Sequence, residues 1–370
     1  MRFYFFCFFL LAGLLLGAVD APAQLLTDSV SRQRVLLTLD KIYNAEFAEA
    51  EALARPLRTK YPQHPVNPLL QAFQLYWQYL PIQENEAAAQ RYVTALNQCI
   101  ALAEKMPRQD AEATFFLLAA HSYLAMLESD RGELTKAVGE ARRTYGYMKR
   151  GFQLTEQNPE FFFSTGLYNY YRVQYPEDHA LVRPLVFFFQ DGDKARGLQQ
   201  LEQAYRRGTF TRTEAGYYLV YVLIKHEANP LRALTFSAPL HRRYPRNPVY
   251  LMRHAEALTL AGRYAEAEPL VERLMALPGR VYPVAGTLLS GMLAEKADQN
   301  ERAATSRYQQ VLKMPLDKRF TQEYHALAHC GLARLADRAG DRAEARRRYQ
   351  QALKLAEYKS TIREAKAYLR

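Results

Sequence analysis

Three places in the chain carry residue types at spacings that could do chemistry. His325 and His329 stand one helical turn apart, where two imidazoles can reach one metal ion. A metal needs at least a third ligand, and Cys330 points off that helix face, so the pair reads as surface or interface histidine. Asp191-Gly192-Asp193 with Glu202 matches the first, third and twelfth positions of a calcium loop. Ala195 stands where the fifth-position ligand should be, and Arg196 replaces the turn glycine, so a helix-start turn accounts for the segment better. His226-Glu227 lacks the second histidine of a zinc-protease motif, and the chain has neither a Gly-rich phosphate loop nor a G-x-S-x-G elbow. Carboxylate pairs such as Asp298/Glu301 have the spacing of helix caps, where they offset the positive end of the helix dipole. The expectation is a protein without catalysis, metal or cofactor.

Whatever work the chain does must then be positioned by helices. Between Glu214 and Val281 two segments superpose on a period of 34 residues. Ala228-Asn229-Pro230 breaks the first, Ala233 follows, and Tyr244-Pro245 closes it. Gly262-Arg263-Tyr264 breaks the second, Ala267 follows, and Pro278-Gly279 closes it. Two apolar-periodic stretches per unit at this spacing predict stacked helical hairpins. Ala255 and Ala267 are small enough to let two helices approach, and Pro245 cannot extend a helical ladder. The pattern recurs less regularly at 28–62, with Asn44-Ala45-Glu46 as its break, at 66–105, from Ala111 to Leu154, and at 284–315. It returns clearly at 326–359, with Ala333, Gly340-Asp341, Ala345, Tyr349 and Ala352. Thr211 with Glu214, Asp298 with Glu301, and Asp341 with Glu344 have the cap-then-acid spacing of helix starts.

These segments resemble the tetratricopeptide repeat (TPR) family. The resemblance implies an all-α fold, a right-handed α-α superhelix of antiparallel helix pairs whose first helices line a concave face, and a role in binding other molecules. Tyr221, Leu240 and Leu274 replace the family's usual small residues, so the pairs around them are expected to splay. Residues 164–222 also resemble a eukaryotic TPR-like family linked to inclusion-body clearance. That likeness rests on Gly166-x-Tyr168, Gly192-Asp193 and Gly197-Leu198-x-x-Leu201, and no function is carried over from it.

Composition fits a helical array. Of 370 residues 49% are apolar, enough for a continuous core, and 26 Tyr and 19 Phe stand against a single Trp. No β-branched run alternates with period two. Arg2, the apolar run Phe3 to Val19 and Ala21-Pro22-Ala23 read as a secretory signal peptide cleaved before Gln24, the alternative being an uncleaved membrane anchor, with no further membrane span. Cys99 and Cys330 fall in distant repeats and are expected to stay unbridged. The absence of any N-x-Ser/Thr acceptor favours a bacterial envelope. The chain is therefore expected to be exported, to the periplasm or the cell surface. The organisation expected is a signal peptide over 1–23, TPR-like repeats over 24–158, an irregular aromatic unit with an inserted segment over 159–208, regular repeats over 209–359 and a capping helix over 360–370. The net charge of +11 is carried by basic residues interleaved with Glu, which reads as a solvated face, and no nucleic-acid partner is expected.

The partner site follows from the TPR arrangement. Counting from Pro159 and from Glu214 as first repeat positions puts Phe163, Leu167, Tyr170 and Tyr171, then Tyr218, Val222, Lys225 and His226, on the concave side. Phe161-Phe162-Phe163 cannot all face one way on a helix of 3.6 residues per turn. Tyrosine offers ring area and a hydroxyl at low entropic cost. The expected surface is Tyr170, Tyr171 and Tyr218 edged by Lys225, holding a protein or peptide. The alternative is a carrier of an apolar or aromatic small ligand, a lipid or glycan, within 159–190.

Overall fold

The computed structural model describes Leu25, residues 28–178 and residues 189–370. The expected signal peptide and most of the inserted segment, with Arg183-Pro184 and Phe187-Phe188, lie outside the described residues. Among the described residues there are seventeen α-helices and no strand. They form eight hairpin pairs: α1 (Ser29–Tyr43) with α2 (Phe47–Lys60), α3 (Val66–Gln78) with α4 (Glu86–Ala103), α5 (Ala111–Asp130) with α6 (Leu134–Leu154), and α7 (Phe161–Asp178) with α8 (Lys194–Arg207). Then come α9 (Arg212–Lys225) with α10 (Pro230–Arg243), α11 (Pro248–Leu260) with α12 (Tyr264–Met275), α13 (Tyr282–Lys296) with α14 (Glu301–Lys313), and α15 (Gln322–Arg338) with α16 (Arg342–Leu355). Helix α17 (Lys359–Leu369) caps the array against α15 and α16. First helices of successive pairs touch each other from α1 to α5 and again from α9 to α17, thinning around α7. They make an inner layer, and the second helices an outer one. The chain is an all-α helical-repeat superhelix. No helix among the described residues is long and apolar enough to cross a membrane.

Short polar side chains start these helices by accepting the amide protons that a first turn leaves unpaired. Asp110 accepts from the amide of Glu112 at 2.6 Å, Asn247 from Val249 at 2.9 Å and Asp341 from Glu344 at 2.9 Å. Two expected caps fall elsewhere. Asn300 rather than Asp298 caps α14, through the amide of Ala303 at 3.0 Å. Thr211 makes no side-chain cap to α9; its hydroxyl donates instead to Glu160 of another pair at 2.8 Å.

The period seen in the sequence is a repeated backbone conformation. The residue that turns the chain between paired helices is left-handed at Ala45, Gly132, Ala228, Gly262, Gln299 and Gly340. Glycine takes that conformation freely, whereas a Cβ crowds the following carbonyl. Ala228→Gly should therefore raise the unfolding free energy by about 0.5–1 kcal/mol in urea denaturation, the strain relieved exceeding the entropy added to the unfolded chain. A loss of stability would show that the φ of 49° is not strained in this turn.

Alanine occupies the crossings, with Ala50, Ala255, Ala267, Ala333 and Ala345 wholly buried. The bulk of Leu240 and Leu274 is met by glycine on the neighbouring helix. A Cβ on Gly216 would lie 3.4 Å from Leu240 Cδ1, and one on Gly286 only 3.1 Å from Leu274 Cβ. Glycine on one side thus makes room for leucine on the other.

The array also curls until its start meets its middle. Asp40 of α1 accepts from Arg243 Nη2 at 2.6 Å, Tyr244 Oη at 2.7 Å and Arg212 Nη2 at 3.2 Å. The Asn247 side-chain amide donates to the carbonyl of Tyr43 at 2.7 Å, and the amide of Arg246 to Asn44 Oδ1 at 3.1 Å. Ring contacts follow the same seam, Trp77 on Tyr250 and Phe115 on Phe210, at centroid distances of 5.7 and 5.2 Å. These contacts carry one apolar core from Leu25 to Tyr358.

Candidate functional site

The groups that could have been a calcium loop are each committed elsewhere. Asp193 accepts from the amide of Arg196 at 3.0 Å and starts α8, Asp191 pairs with Arg172 at 3.4 Å, and Glu202 is held by Arg206 and Arg232. His325 is buried and His329 half-buried on α15, and among the described residues no three His, Cys, Asp or Glu side chains gather as a metal site. Cys99 and Cys330 are buried free thiols.

The first helices instead assemble a wall of aromatic rings. From the opening pairs come Tyr43, Phe73, Tyr76, Trp77 and Tyr123. Trp77 meets Tyr43 edge-on at 5.3 Å, and Tyr76 lies 6.2 Å from Tyr123. From the middle come Phe163, Tyr217, Tyr218 and Tyr250. Phe163 meets Tyr218 at 5.5 Å, and Tyr217 lies 6.4 Å from Tyr250. Tyr76, Trp77, Tyr123, Phe163, Tyr171, Tyr217, Tyr218 and Tyr221 are all half-buried, so their faces are the accessible part of the inner layer.

Glu214 sits where the two groups of rings meet. Its carboxylate accepts from the Tyr43 hydroxyl at 3.0 Å, and its charge acts on Tyr76, Tyr123 and Tyr218. It keeps some accessible surface, yet lies deep inside the curl. Burial pushes its carboxyl up to about 7, against the opposing effect of the Tyr43 hydroxyl. Toward the far end Arg253 lies over the rings of Tyr221 and Tyr217 at 5.4 and 5.9 Å and bonds Glu256 and Tyr358 at 2.7 and 3.1 Å. Arg319 pairs with Asp130 across the curl. Both arginines line a cavity of about 30 Å³, with Tyr221, Gln322, Glu323 and Tyr358. That volume holds one water molecule.

The residues expected to form the partner surface divide into two sets. Phe163, Leu167, Tyr171 and Tyr218 are half-buried on the inner layer. Tyr170 and Val222 are wholly buried, so they offer no surface. The Tyr170 hydroxyl is held by Glu227, and the residue's backbone lies against Gly197 where α7 crosses α8. His226 is buried against Tyr171, and burial holds its imidazole down at about 4. Lys225 is pinned at the rim by the Tyr221 hydroxyl at 2.9 Å and Glu357 at 3.1 Å. Tyr43, Tyr76, Trp77, Tyr123, Glu214, Arg253 and Arg319 were not expected at all. A signal for several of them existed: five of the first helices carry a tyrosine in their C-terminal half, Tyr43, Tyr76, Tyr123, Tyr171 and Tyr221 in turn.

The raised carboxyl of Glu214 has a consequence for stability. Its folded value near 7 lies above the ordinary 4.5, so the folded state holds more protons between those limits. The stability it contributes is therefore present below about pH 4.5 and lost as pH rises through 7. His64, His254 and His329, held near 4 by burial, act with the opposite sign over pH 4 to 6.5. The diagnostic is thus a difference: Glu214→Gln should gain on the wild type by about 2 kcal/mol between pH 4.5 and 7.5. Urea midpoints at both pH values measure it, and parallel curves would refute the shift.

Comparison of the chain with protein-family models and with curated protein sequences finds no match.

Proposed function

We propose that this chain is an exported TPR-type scaffold, without catalysis, that holds a protein or peptide partner against its tyrosine-lined inner layer in a bacterial cell envelope, periplasmic or at the cell surface. The observation that carries the reading is the row of half-buried rings from Tyr76 to Tyr221, left accessible although the rest of the core is closed. Such rings bury large area on contact at little rotamer cost, and their hydroxyls accept or donate along a peptide backbone. Phe163, Tyr171 and Tyr218 form the part of this row that the sequence pointed to.

The test is the double variant Tyr171→Ala, Tyr218→Ala, with partner recovery from envelope extract read beside thermal melting. Lost partner with unchanged melting supports the scaffold. Lowered melting with the partner retained makes these rings core and overturns it. Export has its own check, since the mature N-terminus should be Gln24 or a near neighbour.

A second reading has one observation in its favour. The Tyr43–Glu214 bond and the Asp40 cluster close the curl across the inner layer, and an enclosed aromatic wall suits a lipid or glycan as well as a peptide. Native mass spectrometry of gently purified protein separates the two, as a retained small mass or a retained polypeptide.

A further inference from the structure

The positive charge of the chain is divided unequally between its two layers. The second helices, α2 to α16, carry 25 Lys or Arg against 10 Asp or Glu, whereas the first helices, α1 to α15, carry 10 against 11. The interleaving of Arg and Glu along the sequence hides this, because it mixes inner and outer helices. The excess is dense on three successive outer helices. Helix α6 has five basic residues and one acid, α8 four and one, and α10 three and none. Arg232 of α10 reaches Glu202 of α8 at 2.7 Å, which sets these two side by side. Solvation explains charge on an outer helix but not its sign, since acids serve equally well. Exposed aliphatic side chains stand on two of these helices: Leu134 and Val138, each 69% exposed, one turn apart on α6, and Leu231, 65% exposed, on α10.

We propose that the outer face of α6, α8 and α10 docks on an anionic phospholipid surface, with its basic side chains at the headgroup phosphates and Leu134, Val138 and Leu231 reaching the acyl boundary. Basic residues near such a surface attract it cooperatively, and apolar side chains beside them convert attraction into shallow insertion. The aliphatic residues decide against nucleic acid, whose phosphodiester backbone offers them nothing. The site lies on the opposite layer from the tyrosine wall, so it stands whether or not the inner layer holds a peptide.

The experiment is flotation of the full chain with vesicles of phosphatidylglycerol and phosphatidylcholine, beside vesicles of phosphatidylcholine alone. The readout is the ratio of the two partition coefficients, so that any apolar segment indifferent to headgroup charge cancels. The ratio should be about tenfold or more at low salt and fall toward one in 0.5 M NaCl, where screening is complete within a few ångströms. Arg142, Arg196 and Arg242 are exposed on the three helices, and reversing each to Glu should lower anionic binding by about a hundredfold. Equal reversal on α16, Arg342→Glu with Arg346→Glu and Lys354→Glu, should leave most of it. Leu134→Ser with Val138→Ser should weaken binding several-fold at unchanged melting temperature. Equal partition into both vesicles overturns the proposal. So does an equal loss from the α16 variant, which would mean net charge and not this face. Tighter binding to duplex DNA than to anionic vesicles at the same salt, abolished by the same three reversals, would reassign the face to nucleic acid. Should a variant fail to fold, the salt dependence of the wild-type ratio decides by itself.

Discussion

Gly197→Ala should lower the unfolding free energy by about 3 kcal/mol, while Gly139→Ala and Gly146→Ala should each raise it by about 1 kcal/mol. All three glycines lie inside helices, and alanine is the better helix former at every one, so propensity alone predicts a gain. Space reverses the sign at one of them. A Cβ on Gly197 would stand 2.6 Å from the Tyr170 amide nitrogen, 2.8 Å from the Gly166 carbonyl oxygen and 2.9 Å from Tyr170 Cβ. Two of these atoms are backbone, so no rotamer change relieves the contact and α7 must draw away from α8. Gly166 faces the same crossing, where its own Cβ would lie 3.0 Å from the Gly197 carbonyl oxygen. At Gly139 and Gly146 on α6 nothing stands within 4 Å. Urea denaturation followed by circular dichroism measures the three changes. Hydrogen exchange should quicken in α7 and α8 for Gly197→Ala, because an array transmits strain mainly to its neighbours. A gain at Gly197 like that at Gly139 would mean that the two helices are not in backbone contact.

How much of this was legible in the sequence depends on distance along the chain. The helix start at Asp341, and the turns at Ala228 and Gly262, are decisions made within a few residues, and their signals are local. The pairing of helices was legible for the same reason, since alanines such as Ala255 and Ala267 mark each crossing. The closed curl was not. Tyr43 bonds Glu214 and Asp40 gathers Arg212, Arg243 and Tyr244 across 171 to 204 residues of chain, and no period within a repeat encodes which repeats meet. Reading Tyr170 as surface failed on a related point. Tyr170 sits at the crossing with α8, which the Gly166–Gly197 approach closes, and glycine in a helix does not announce what comes near it. The charge division between layers was present in the composition of each helix, yet it emerges only once helices are sorted into inner and outer.

Glu160 offers the largest expected loss, because one side chain gathers the buried amides of the turn that leads into α9. It precedes α7 and is wholly enclosed. Across some fifty residues its carboxylate accepts from the amides of Thr209 at 2.5 Å and Thr211 at 2.9 Å, and from the Thr211 hydroxyl at 2.8 Å. The amide of Phe210 points at both carboxylate oxygens, 3.2 Å from each. These three amides belong to the turn that leads into α9, the last of them being that of its N-cap residue Thr211. Phe210, in the same turn, packs on Phe115 and Phe116. Glu160 therefore ties the fourth pair to the start of the fifth and, through Phe210, to the third. In Glu160→Ala three buried amides lose a charged acceptor, and each orphaned donor costs about 1–3 kcal/mol before relaxation. With water reaching part of the turn, the net loss should be about 4 kcal/mol. Glu160→Gln keeps one oxygen but turns an amide group toward donors, and should cost roughly half as much. Thr211→Val removes the hydroxyl bond alone, at about 1 kcal/mol. Denaturation midpoints of the three variants, with exchange rates at Phe210 and Thr211, test the ordering. Should Glu160→Ala cost no more than Thr211→Val, the carboxylate is not what holds this junction closed.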